Sequence, residues 1–278
     1  YESNRIEGNT LTLQETALVV NEGITIFGKS MREHLEAINH AEAIDYIKEV
    51  AKQDIEISQR TIKEIHALVL HGIDRENAGS YRTVPVMISG STHVPPQPYL
   101  LEKLMEDFML AFQRMEKENV HPVIIAAYLH NELVRIHPFI DGNGRTSRLL
   151  MNLYLLQKGY TIVTLKSDND TKLRYYKALE SSHTEQQHDD FYLLVAETEK
   201  PHCGKIPTTA PNSGPNLPDF FIVSLILLLV LCSIYSIIKY VINKNGNNFK
   251  VSIAVSCNTS NIFCIYILLL IHTIRMSN

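Results

Sequence analysis

The sequence predicts an all-α helical bundle carrying one short β-hairpin flap. Three observations point there. Apolar residues recur at three- and four-residue intervals in segment after segment, the period of a helix with one buried face. A single stretch, Tyr81–Pro96, alternates with the two-residue period of a strand instead. The composition, 45% hydrophobic and 20% charged over 278 residues, gives enough apolar surface for one good core.

The elements run in order along the chain. Thr12-Leu-Gln-Glu15 has the capping-box pattern and opens a helix toward Asn21. Ile38, Ala41, Ile44, Ile47 and Ala51 mark a second helix, and Ile62, Ile65 and Val69 a third that ends near Gly72. Leu101, Leu104, Phe108, Phe112 and Met115 form a longer amphipathic helix. Val123–Val134 is almost continuously apolar, as a central buried helix would be. Leu149, Leu150, Leu153 and Leu156 continue the bundle, with Gly159 placed to end that helix. Two more helices fall at Lys172–Ser182 and Asp189–Glu197. In the alternating stretch, Val84, Val86 and Ile88 precede a Ser89-Gly-Ser-Thr92 turn, while Pro85, Pro95 and Pro96 confine the hairpin to an edge. Such an edge offers Val86, Met87 and Ile88 as a docking flap for an extended peptide; a plain surface loop is the alternative.

The chain divides into residues 1–20, which enter the helical body, the domain proper at 21–200, and a C-terminal region of different character. Residues 201–219, with five prolines from Pro201 to Pro218, read as a linker. Phe220–Ile238 is uncharged and long enough to cross a bilayer, so a transmembrane helix is expected over 220–242. The hydrophobic tail 243–278 is less regular, and a non-native origin for the tail is the competing reading. Tyr1 in place of Met, with no visible signal peptide, suggests that a segment precedes it. The expected setting is a cytoplasmic body anchored by its C-terminal segment, with a lumenal body as the alternative. Cys203, Cys232, Cys257 and Cys264 all lie after residue 200, so the body has no thiolate metal site or disulfide framework. Net charge is −4, and the charges after Ile206 are mostly basic, so the body is acidic and nucleic acid is not an expected partner.

The chemistry concentrates in Arg135-Ile-His-Pro-Phe-Ile-Asp-Gly-Asn-Gly-Arg-Thr-Ser-Arg148. Pro138 disfavours helix at His137, so one helix ends there. Gly142 and Gly144 release the backbone, and a new helix begins near Arg145. Its unpaired first N–H groups, with Arg145 and Arg148, make an anion site suited to phosphate. Asp141 adds a hard oxygen ligand for Mg²⁺. His137 titrates near neutrality and could accept a proton. Together these groups suggest phosphoryl or nucleotidyl transfer. Gly142-x-Gly144 comes after no strand and lacks a third glycine, so it is not a dinucleotide fingerprint, and without Gly-Lys-Ser/Thr it is not a Walker A loop. His121 and His130 read as ordinary helix residues.

His137-Pro-Phe-Ile-Asp-Gly-Asn-Gly-Arg-Thr-Ser-Arg148 resembles the signature of Fic-domain proteins of the Fido superfamily, without a mismatch. The resemblance extends over about Tyr1–Glu199 and is nearest the branch of the metazoan endoplasmic-reticulum enzyme and similar bacterial proteins. It implies a Fic fold and transfer of AMP from Mg-ATP to a Ser, Thr or Tyr hydroxyl of a target protein. In that scheme His137 is the general base and Phe139 anchors the loop. Asp141 holds Mg²⁺. Gly142, Asn143 and Gly144 form the anion hole, and Arg145 and Arg148 bind phosphates. Ser3-Asn-Arg-Ile-Glu-Gly-Asn9 resembles the inhibitory motif of the N-terminally autoinhibited class, which implies that Glu7 pairs with Arg148 and blocks the γ-phosphate. The same glutamate serves AMP removal in related enzymes, so deAMPylation is an alternative, as is transfer of another phosphate-containing group. A non-catalytic peptide-binding module is disfavoured by the intact His137 and Asp141. Tyr175 and Tyr176 lie where relatives contact the adenine, and His183 stands where they carry Asn. Gly28-Lys-Ser-Met31 aligns with a dimer contact, which implies a homodimer through Met31.

Overall fold

The computed structural model describes residues 1–199. The linker, transmembrane-helix and tail readings lie outside the described residues. Among the described residues no helix is long and apolar enough to cross a membrane.

The helices run α1 (Glu2–Ile6), α2 (Leu13–Glu22), α3 (Met31–Lys52), α4 (Gln59–Val69), α5 (Leu101–Lys117), α6 (Pro122–Ile136), α7 (Asn143–Gln157), α8 (Asn169–Thr184) and α9 (Asp189–Glu199). A 3₁₀ turn, Pro98–Leu100, leads into α5. α6 is the central post. Ile125, Ala126, Ala127, Leu129, Leu133 and Ile136 are all but fully buried, as its continuous apolar sequence requires. It packs most extensively on α7, whose Leu149, Leu150, Met151, Leu153 and Leu155 face the same core. α3 and α4 close over the other side of α7, and α5 and α9 cover α6. The loop between α6 and α7 therefore sits where the two most buried helices meet.

Local signals account for the ends. Thr12 and Glu15 form the expected capping box, with Glu15 N–H donating to the Thr12 hydroxyl and Thr12 N–H to the Glu15 carboxylate at 2.7 Å. Gly159, at φ 79°, ends α7 as expected. α3 begins seven residues before its first periodic isoleucine. A second capping box, Ser30 with Glu33, starts it, so Met31 is its first residue.

The β-hairpin expected in Tyr81–Pro96 is absent: there is no strand among the described residues. The prolines remove the donors a two-stranded ladder needs, and side chains hold the segment instead. Glu180 of α8 accepts from the hydroxyls of Ser91 and Thr92 and, at 2.8 Å, from Thr92 N–H. Alternation survives without the ladder: Met87 is 91% exposed, while Val86 and Ile88 are half-buried.

Candidate active site

His137 ends α6 in the left-handed region, at φ 50° and ψ 57°. Its Nδ1–H donates to the Val134 carbonyl at 3.1 Å. That contact fixes the tautomer and leaves the Nε2 lone pair as the free acceptor. Burial lowers its pKa to about 4, with the nearby Arg82 and His93 acting in the same direction against Glu7 and the Val134 bond. At neutral pH the ring is thus uncharged and able to take a proton.

The chain then crosses Pro138 to Phe139, which is fully buried and stacks on His66 at 3.6 Å between ring centroids. Asn143 locks the turn. Its carboxamide oxygen accepts from Phe139 N–H at 3.0 Å, and its amide donates to Phe139 O at 2.9 Å. The Asn143 side chain is therefore turned inward, and only its backbone N–H can serve an anion. α7 begins at Asn143, two residues before the sequence suggests, so Gly144 and Arg145 already lie in its first turn. Gly142, at φ 78°, caps it, and a Cβ there would meet His66 and Val69 at 3.3 Å.

His66 carries no signal in the sequence. Gly79 N–H donates to its Nδ1 and its Nε2–H donates to Asp141 O, both at 2.9 Å. Burial keeps it neutral, with a pKa lowered to about 4. In sequence it is one more helical residue beside Ile65; only the fold sets it beneath the loop.

Asp141 stands beside two guanidiniums. Arg32 of α3 bonds Oδ2, and Arg145 lies 3.4 Å from Oδ1. Burial acts to raise the Asp141 pKa, but Arg145, Gly142 N–H and Arg32 overcome it, so the group stays ionised. Glu36 completes the cluster, at 3.1 Å from Arg32 and 3.3 Å from the buried Arg145.

Arg148 is 4% exposed, and its donors are engaged. Nη2 bonds Glu7 at 2.7 Å and the Ser3 carbonyl at 2.9 Å, Nε bonds the Ser3 hydroxyl at 2.8 Å, and Nη1 bonds the Tyr175 hydroxyl at 3.3 Å. The expected Glu7–Arg148 pair is formed. The Glu7 carboxylate also lies against Gly144, in the space a Cβ would occupy, so it covers the N-terminal turn of α7. Tyr175 is 2% exposed, and its hydroxyl donates to His130 Nε2 at 3.2 Å. It underpins Arg148 and has no open face for an adenine, contrary to the sequence expectation. Tyr176 is half-open, and its hydroxyl donates to Ile6 O at 3.0 Å. His183 bonds the Asn131 backbone and side-chain oxygens and leans on His93, with ring centroids 5.0 Å apart.

A neutral imidazole with a free Nε2, a helix mouth lined by arginines, and a carboxylate that already attracts cations converge on one loop. The Fic/DOC family model matches residues 56–155, which contain that loop. Residues 56–155 are a Fic domain. The sequence is 42% identical over 179 residues to Protein adenylyltransferase Fic of Drosophila persimilis, covering 64% of this chain and 35% of that protein. The Drosophila grimshawi protein of the same name is 41% identical over 179 residues. This chain thus spans about a third of the length of these relatives. Among solved structures, Caenorhabditis elegans Fic-1 (residues 134–508) aligns with a TM-score of 0.65 and 33% identity, over 72% of this chain and 59% of that one. A Fic domain containing signaling protein of Bacteroides thetaiotaomicron aligns with a TM-score of 0.62 and 26% identity, over 77% of this chain and 88% of that one.

Proposed function

We propose that this Fic domain is a protein adenylyltransferase that moves AMP from Mg-ATP to a hydroxyl side chain of a target protein, and that Glu7 holds it in check. The observation that carries the reading is the Glu7–Arg148 pair, closed over the mouth of α7 beside a neutral His137. The name of the Drosophila relatives supports the same activity.

The steps come from the groups present. His137 Nε2 takes the proton of the target hydroxyl as its oxygen attacks the α-phosphorus. The bond from the α-phosphorus to the bridging oxygen breaks, and pyrophosphate leaves in line. The N–H groups of Asn143 and Gly144 and the N-terminal end of α7 face the charge that develops. Arg145 and Arg148 bind the remaining phosphate oxygens. Asp141 suits Mg²⁺: it is a hard, ionised oxygen donor with a cation already beside each carboxylate oxygen. When bound, the metal would neutralise phosphate charge. The flap at Val86, Met87 and Ile88 presents the target segment. A homodimer through Met31 is supported by exposed apolar side chains in this part of the chain: Met31 is 64% exposed, Leu13 62% and Phe27 104%. A second reading, removal of AMP, is favoured by one feature. The Glu7 side chain is 35% exposed beside the phosphate site and could orient a water.

ATP labelled at the α-phosphorus should label protein, and ATP labelled at the γ-phosphorus should not. γ-Label incorporation would replace this reading with phosphoryl transfer.

Arg32 must release Asp141 oxygen to any metal. Its side chain is 56% exposed, so the pair contributes at most about 1 kcal/mol. Arg32→Ala should therefore tighten Mn²⁺ binding up to about fivefold, as measured by electron paramagnetic resonance with a non-hydrolysable ATP analogue. Unchanged affinity would mean that Arg32 does not compete.

A further inference from the structure

Arg82 is 3% exposed, and no carboxylate lies within ion-pair distance of it among the described residues. Burying a cation without an anion is costly unless its donors are well used. Here every partner is a backbone carbonyl. Nε donates to His137 O at 2.8 Å, Nη1 to Val84 O at 3.0 Å and Nη2 to Pro96 O at 2.6 Å. Its own N–H donates to Pro138 O at 2.9 Å. Val84 and Pro96 are the two ends of the flap. His137 and Pro138 form the turn that holds the base in a left-handed conformation a non-glycine residue adopts at a cost.

We infer that Arg82 is a positioning residue that fastens both ends of the flap to the backbone of His137, so that target docking and the base are held in one register. The inference rests on the proposed role of His137. A planar guanidinium can serve three carbonyls in fixed directions at once, whereas an ammonium on a flexible stem cannot. The flap has no ladder of its own, so this fork replaces one. Arg82 also supplies positive charge near His137, together with His93 and against Glu7.

The test uses the Glu7→Gly chain as background, with Arg82→Lys and Arg82→Gln added separately. Both are expected to lower kcat for AMP transfer by about 10- to 100-fold, with KM for ATP unchanged. Arg82→Lys keeps the charge, so the acid limb of its pH–rate profile should stay in place. Arg82→Gln removes it, and the limb should move to higher pH. Retention of kcat in a folded Arg82→Lys variant overturns the inference, as does an unmoved acid limb in Arg82→Gln.

If the variants do not fold, hydrogen exchange on the Glu7→Gly chain alone decides. Segments 82–97 and 133–140 should open together, with matching response to mild denaturant. Independent opening overturns the coupling. Lack of AMP transfer by Glu7→Gly itself would remove the proposed reaction, while the exchange measurement would still report whether flap and turn are joined.

Discussion

Glu7→Gly is expected to raise AMP transfer by about 10- to 100-fold at subsaturating ATP. The range comes from the contact removed. A hydrogen bond to a charged group contributes ~1.5–3 kcal/mol, and each 1.4 kcal/mol is tenfold. The Glu7–Arg148 bond, at 2.7 Å, has one wholly buried partner and one part-exposed partner, which places it in this class rather than among free surface pairs. The same carboxylate lies on Gly144, so its loss also clears the turn that should receive phosphate. Transfer of α-labelled AMP is the measurement, with ATP affinity by calorimetry beside it. Equal activity of wild type and variant, with equal ATP affinity, would sink the autoinhibitory role. The remaining bonds from Arg148 to Ser3 and Tyr175 keep the guanidinium in place in the variant.

His137→Ala in the Glu7→Gly background is expected to lose about 10²–10⁴-fold in kcat, the usual contribution of a positioned general base, while ATP affinity holds. The bond to Val134 makes Nε2 the accepting atom, and the lowered pKa keeps that atom unprotonated at neutral pH. The rate should therefore be flat through neutrality and fall only as acid fills Nε2. Activity that survives the substitution would show that the proton leaves by another route.

Much of the architecture is legible in the sequence because period and caps are local. Thr12 with Glu15, the apolar run of α6 and Gly159 after α7 each stand in the sequence where the fold uses them. The start of α3 is harder to see, because its first two turns carry few periodic apolar residues; the Ser30–Glu33 cap is the available signal. The flap imitates a hairpin because alternation survives in Val86, Met87 and Ile88 without the backbone pairing it usually reports. In the site, His137, Asp141, Glu7 and Arg148 stand out because they sit in short patterns. His66, Arg32 and Arg82 do not, since each acts through contacts 55 to 109 residues away in sequence. The resemblance puts Tyr175 at the adenine, and the fold puts it under Arg148 instead, because its place depends on how α8 packs.

The short helix α1 does not reach Arg148 by Glu7 alone. Asn4 donates to Glu36 O at 2.8 Å, Asn9 to Glu33 O and the Glu36 carboxylate at 3.0 Å each, and Tyr176 holds Ile6 O. Glu7 is thus an intramolecular ligand whose local concentration is fixed by these anchors. Dilution of the protein leaves that concentration unchanged, and so does any abundance of free carboxylate in solution. On the proposed reading, ATP would contend with a competitor that never diffuses away, and whatever loosens the anchors on α3 would weaken its hold.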